Sequence, residues 1–160
     1  MSATTPKPLA IVPLAARPQY LPELKHWFET EWADYYGAGG RGDAAADLAA
    51  FAGGDGLPFA LIAVRGDELC GIAALKRDAF AGLDALFPWA SAGLVKPALR
   101  GRGIGAALIA GLEDEARRRG YSKIYSATST AETLLRRRAW RFRESVVHGG
   151  AAVAVYEKDL

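Results

Sequence analysis

At 160 residues, 51% apolar and 24% charged with a formal net charge of only +2, the chain can bury the core of one domain and is neither a disordered tail nor a collagenous repeat. Its single cysteine, Cys70, excludes an internal disulfide framework and fits a reducing compartment. No uninterrupted apolar run approaches the ~18 residues that a membrane span needs, so the expectation is one soluble, cytoplasmic domain over residues 1–160 with no membrane partner.

The stretch from Pro8 to Ala16, after Lys7, superficially resembles a signal peptide, but it is short and broken by Pro13. With Leu9, Ile11, Val12 and Leu14 it reads as a first strand. A helix is expected from about Gln19 to Tyr36, where Leu21, Leu24, Trp27, Phe28 and Trp32 recur at helical spacing. After the glycine-rich loop from Gly37 to Gly42, Asp43 caps a short alanine-rich helix. Pro58 to Val64 and Leu69 to Leu75 read as two strands joined at Arg65-Gly66-Asp67 into a hairpin. A loop holding Asp78 and Asp84 leads to a strand from Trp89 to Lys96, ended by Pro97. A helix then runs from the glycines after Arg100 to about Arg119, with an apolar stripe of Ile104, Leu108, Ile109, Leu112 and Ala116. On its other face three acid-to-arginine pairs are expected at i,i+4: Glu113–Arg117, Asp114–Arg118 and Glu115–Arg119. Gly120 stops it. A strand from Lys123 to Thr128, a helix from about Ala131 to Ala139 and a final hairpin around His148-Gly149-Gly150 complete the chain. Hairpins mixed with crossover helices call for an α/β (α+β) fold with a mixed sheet.

Charge is distributed unevenly. Residues 1–95 hold 7 Lys/Arg against 11 Asp/Glu, residues 96–143 hold 12 against 4, and residues 144–160 hold 1 against 3. A basic middle section between acidic flanks suggests an anionic ligand on one side and a cationic one on the other. Nucleic acid is the rival partner for the basic block. However, six of its arginines form two Arg-Arg-Arg runs at helix ends, where they complement the dipole. No aromatic interleaving supports that rival, and no nucleic-acid partner is expected.

The segment Arg100-Gly101-Arg102-Gly103-Ile104-Gly105-Ala106 lies between a strand and a helix. First-turn N–H groups have no partner within a helix, the dipole concentrates positive charge there, and glycine lets an anion approach the backbone. Arg100 and Arg102 add full charges. A nucleotide-hydrolysing loop would end in Gly-Lys-Ser/Thr, whereas Gly105 is followed by Ala106-Ala107. A dinucleotide fingerprint fits only loosely: the next strand supplies no ribose-holding acid, and only 55 residues follow Gly105.

These residues resemble the Arg/Gln-x-x-Gly-x-Gly/Ala pyrophosphate loop of the GNAT superfamily, the acetyl-CoA-dependent N-acyltransferases. The preceding Leu94-Val95-Lys96-Pro97 and the following Ala106-Ala107-Leu108 are similar to that family as well. So is Leu134 to Trp140, which sits where the family reads Leu-Tyr-x-x-x-Gly-Phe. The resemblance is specific over residues 92–142 and weak before about residue 85. It implies a mostly antiparallel, twisted mixed sheet with helices on both faces, splayed between the two central strands. It further implies acetyl-CoA as co-substrate, held by Leu94 and Val95 along the pantetheine arm and by Arg100, Gly101, Arg102, Gly103, Ile104, Gly105 and Ala106 around the pyrophosphate, with Lys96 also among the cofactor-binding residues. The acceptor would be a primary amine of a small molecule or a peptide N-terminus, attacking directly in a ternary complex. A backbone N–H near Leu94 or Val95 would stabilise the oxyanion, a contribution of about 3–4 kcal/mol in other enzymes. Family members often dimerise, which leaves a homodimer open.

The chain departs from the family where protons move. The family often takes a carboxylate from the strand before the loop, yet Trp89 to Val95 contains none. Asp78 is the favoured substitute, with Asp84, Glu31 and Asp34 as others. At the usual general-acid tyrosine stands Leu135, and Ala139 replaces the expected glycine. Either Tyr125 or Thr128 substitutes as the acid, or the coenzyme leaves as a thiolate, which a thiol pKa of ~8.5 makes tolerable. His148 and His26 are read as an exposed turn residue and a structural one, and Tyr35 and Tyr36 as walls of the acceptor cleft. No His/Cys cluster has metal spacing, so no metal is expected. The alternative to an active enzyme is a catalytically weak acyl-CoA-binding or sensor domain of the same fold.

Overall fold

Strands that are apolar at nearly every position must be covered on both faces, and two such strands set the layering of this protein. The computed structural model describes residues 7–53, 56–77 and 82–160. Its β2 (Phe59–Arg65) and β3 (Glu68–Lys76) are buried along almost their whole length. Phe59, Leu61 and Ala63 turn with Ala73 and Leu75 toward α4 (Ile104–Arg118). The alternate residues Ala60, Ile62, Val64, Ile72 and Ala74 turn toward α1 (Leu21–Glu31) and α3 (Ala44–Phe51).

Around this hairpin a seven-stranded sheet runs β1-β2-β3-β4-β5-β7-β6. The remaining strands are β1 (Leu9–Pro13), β4 (Trp89–Val95), β5 (Lys123–Thr128), β6 (Arg141–His148) and β7 (Ala151–Asp159). Every neighbouring pair is antiparallel except β4 and β5, which α4 joins as a crossover. That parallel pair has only two registered positions, Trp89↔Tyr125 and Ala90↔Ser126. Past them β4 bulges: Ser91 opposes Ala74 and Leu94 opposes Ile72, so Ala92 and Gly93 share the place opposite Ala73. Ala92 takes a positive φ of 54°. A bulge bends its strand and increases local twist, and here β4 leaves β5. The mixed, mostly antiparallel sheet, helices on both faces and splayed centre all match the expectation from the resemblance.

Three expectations are corrected. The helix from Gln19 to Tyr36 is two: α1 ends at Glu31, and one further turn, α2 (Ala33–Tyr36), follows a break at Trp32 (φ −117°, ψ 52°). The break lets Trp32 and Tyr36 both pack on Phe28, with ring centroids 4.9 and 5.4 Å away. Asp43 does cap α3, its side chain accepting from the Ala46 N–H at 3.0 Å.

The second correction concerns α4. Glu113 does not face solvent beside Arg117: it is 2% exposed and bound by three groups from other elements. Arg138 grips it through two hydrogen bonds of 3.1 and 2.8 Å, Trp140 Nε1 donates at 3.0 Å, and Lys158 Nζ donates at 2.8 Å. Burial alone would push this carboxyl up, but the donors outweigh it and hold it below the usual carboxylate range. The third correction follows on the same helix: Asp114 pairs with Arg117 instead of Arg118, whereas Glu115 does reach Arg119 as expected, at 3.8 Å, and also pairs with Arg118.

Two helices end in the same way with different residues. After α4, Gly120 has φ +89°, its N–H reaches the Arg117 carbonyl and the Tyr121 N–H reaches that of Ala116. After α5 (Glu132–Arg137), Ala139 has φ +66°, its N–H reaches Arg136 and the Trp140 N–H reaches Leu135. Both are Schellman ends, which favour glycine at the left-handed position. Alanine there is strained by about 1 kcal/mol, so Ala139→Gly should raise the urea midpoint by the equivalent of about 1 kcal/mol. Glu113→Gln leaves partly buried cations without their counter-charge and should cost about 3 kcal/mol at pH 7. Because the native carboxyl sits below its ordinary range, its contribution is complete above about pH 4.5 and is lost as pH falls through the native value. The stability gap between wild type and Glu113→Gln should therefore close on acidification, measured by urea unfolding from pH 7 to pH 3.

Candidate active site

The N-terminus of α4 is open. Gly101 and Gly103 both adopt positive φ, 77° and 82°, and Gly103 forms the N-cap with no side-chain hydrogen bond to the helix. The first helical bond runs from the Ala107 N–H to the Gly103 carbonyl at 3.0 Å. The N–H groups of Ile104, Gly105 and Ala106 thus have no partner within the helix, and the dipole adds partial positive charge there. A Cβ on Gly101 or Gly103 would meet nothing within 4 Å. These glycines serve the backbone path, and the space before the amides stays clear.

This mouth opens into a cleft of about 490 Å³ walled by Leu99, Arg100, Leu134, Arg137 and Arg138. A second cleft of about 710 Å³ lies where β4 and β5 part, between Ala90–Leu94 and Ser126–Thr128. The two share Val95, Arg100, Gly101, Gly105 and Leu134. The fork is closed at its apex by Ser126 Oγ, which donates to the Ala90 carbonyl at 2.9 Å. Beyond it the facing edges form no ladder pairs. A third recess of about 180 Å³, walled by His26, Trp27, Thr30 and Lys96, shares Glu31 and Leu94 with the fork.

The residues expected from the sequence distribute themselves unevenly. Gly101, Gly103, Ile104, Gly105 and Ala106 line the helix mouth, while Leu94 and Val95 line the fork. Arg102 is exposed and lines none of these clefts. Lys96 turns away toward the recess and pairs with Glu68 at 3.3 Å. Arg100 reaches back: its Nε donates to the Val95 carbonyl at 3.0 Å, and its NH2 lies 3.3 Å from Glu31 Oε1.

Among the proton-transfer candidates, Asp78 lies outside the described residues. Asp84 and Asp34 are exposed and line none of the clefts, whereas Glu31 lines two. Tyr125 stacks on Trp89 at 5.6 Å in an apolar cluster with Val155, off the fork's walls. Thr128 lines the fork, but its Oγ accepts from the N–H groups of Thr130 and Ala131. Leu135 is 1% exposed and packs against the α4 core. Tyr36 lines none of these three clefts, and burial and its hydrogen bond to Asp47, 2.6 Å long, raise its phenol far above the ordinary value. Trp32 lines the fork in its place. His148 stands exposed at the end of β6.

Two wall residues escaped the sequence reading. Arg137 and Arg138 belong to a run that reads as a solvated helix end, yet both border the helix mouth. The available signal was spacing, since residues three and four beyond Leu134 share its helix face. Arg138 is committed to Glu113, whereas Arg137 has no ion pair among the described residues. Among the described residues no helix is long and apolar enough to cross a membrane, and no group of three or more His, Cys, Asp or Glu could hold a metal ion.

The fold has close counterparts among solved structures. An aminoglycoside 6'-N-acetyltransferase complexed with coenzyme A aligns with a TM-score of 0.76 at 16% identity, over 94% of this chain and 96% of that one. A GCN5-related N-acetyltransferase from Kribbella flavida gives 0.75 at 23% identity, over 95% and 98%. The Salmonella typhimurium protein yncA, solved with its cofactor acetyl-CoA, gives 0.70 at 16% identity, over 94% and 93%. At these identities the likeness speaks to fold alone. No curated protein matches the sequence. Residues 22–144, well over half the chain and spanning the fork and the helix mouth, match the model of the Acetyltransferase (GNAT) family. The chain therefore belongs to the GNAT family of acetyltransferases and is an acyltransferase.

Proposed function

We propose that residues 1–160 form one N-acetyltransferase domain that moves an acetyl group from acetyl-CoA to a primary amine, of a small molecule or a peptide N-terminus, by direct attack in a ternary complex. The observation that carries this reading is the continuity of the uncapped α4 mouth with the fork between β4 and β5. The residues present suit a coenzyme. Three free amides and Arg137 match a diphosphate in charge and donor type. Past Ala90 the β4 edge at Leu94 and Val95 has no ladder partner on β5, which suits an amide-bearing arm. When bound, acetyl-CoA supplies a thioester activated toward attack by a neutral amine.

The chain's own groups do the rest. Backbone N–H groups of β4 facing the fork are preorganised donors for an oxyanion. Walls of α1 and β4 hold the amine beside the acyl group, which converts a bimolecular encounter into a local one. Asp78 is proposed as the proton acceptor. The acidic first 95 residues favour a cationic acceptor.

One observation favours a second reading, a weakly active acyl-CoA-binding or sensor domain: Leu135, at the family's acid position, is buried and has no proton to donate. Release of free thiol from acetyl-CoA across an amine library separates the two. Turnover on any amine supports the enzyme, and tight coenzyme binding without turnover supports the sensor. Gly103→Val forces a β-branched residue into positive φ and shifts the amides. It should raise the KM for acetyl-CoA about tenfold or more with the fold intact by circular dichroism. Arg137→Ala should weaken coenzyme A binding about tenfold and flatten its salt dependence, both read by calorimetry.

A further inference from the structure

Arg100 stands at the junction of two sites and is held by the wrong one for coenzyme binding. It borders both the helix mouth and the fork, yet its NH2 lies against Glu31 Oε1, on the α1 wall, while its Nε donates to the Val95 carbonyl beside the fork. Glu31 in turn borders the fork and the recess containing His26 and Trp27, the side from which an acceptor would approach. The lysine of that recess, Lys96, is already paired with Glu68 at 3.3 Å.

We infer that Arg100 is a transferable cation: Glu31 holds it in the free protein, the coenzyme's diphosphate captures it, and the exchange uncovers the Glu31 carboxylate for a cationic acceptor. The inference rests on the coenzyme reading above. Both side chains are nearly half exposed, 48% for Arg100 and 40% for Glu31, and an ion pair so hydrated is weak. A diphosphate offers the planar guanidinium paired, charge-assisted hydrogen bonds beside a second arginine and three free amides, which is the stronger partner. Once Arg100 turns, Glu31 keeps no other ion-pair partner among the described residues. An uncompensated carboxylate beside Trp27 and Trp32 suits an ammonium group, through charge and through the aromatic faces. Coupling of this kind is reciprocal, so the acceptor cation also favours coenzyme binding.

Removal of the competing carboxylate gives a sign that a merely structural role would not. Titration calorimetry with coenzyme A itself, on wild type, Glu31→Gln, Arg100→Gln and the double variant, is the test. Glu31→Gln should bind coenzyme A about two- to fivefold more tightly than wild type, the range of an exposed ion pair. Arg100→Gln should bind about tenfold more weakly, and the double variant should match Arg100→Gln, the gain having vanished. Unchanged or weakened binding by Glu31→Gln, or a gain that survives in the double variant, overturns the exchange. A wild-type chain that binds no coenzyme A overturns instead the coenzyme reading on which it rests.

Discussion

A backbone amide or carbonyl withdrawn from water must find a hydrogen-bond partner, and one place in this sheet breaks that rule by design. β4 and β5 pair at two positions and then separate, with the bulge at Ala92 and Gly93 turning β4 aside. Past those positions the two edges form no ladder pairs and border a cleft instead. The coenzyme arm proposed above is an extended, amide-bearing chain, whose chemistry suits such a gap. The helix that begins at the wide end of the fork repeats the theme, since its first amides also lack protein partners.

Holding an open fork requires a rigid frame, and the frame is built from charge as well as apolar packing. α4 lies on β2 and β3 through Ile104, Leu108 and Leu112. Of its two buried acids, Glu113 ties it to Arg138 and Trp140 just past α5 and to Lys158 on β7. One buried carboxylate thereby fixes α5 relative to α4, and α5 supplies Leu134 and Arg137 to the wall of the helix mouth. The strained alanine that closes α5 belongs to the same joint: the left-handed turn at Ala139 aims Trp140 back at Glu113. Stability here is not separate from the site, because the elements that would slip if the carboxylate were lost are those that bound it.

Much of this is legible in the residues. Apolar runs and helical periodicity locate the strands up to β5 and the principal helices, the Gly149-Gly150 turn locates the last hairpin, and Asp43 and Gly120 mark helix ends by local backbone chemistry. The glycine-arginine segment announces an anion site because uncapped amides and tolerance of positive φ are local properties. What escapes is whatever depends on the far side of a contact. Glu113 has the same spacing to Arg117 as a surface ion pair would, and nothing in its neighbours says that Arg138, Lys158 and Trp140 will converge on it. The break at Trp32 is likewise invisible, since it arises from packing against Phe28.

The amino-acid order by itself determined the succession of strands and helices, the mixed character of the sheet, and the chemical character of the loop before α4, all of which follow from apolar patterning and short-range backbone preference. Only the tertiary structure decided where the parallel pairing stops, that Arg138 is taken by Glu113, and that Arg100 reaches Glu31, 69 positions away. Those outcomes depend on distances between segments remote in sequence. Such distances are set by how close the layers can pack, and no local pattern encodes them.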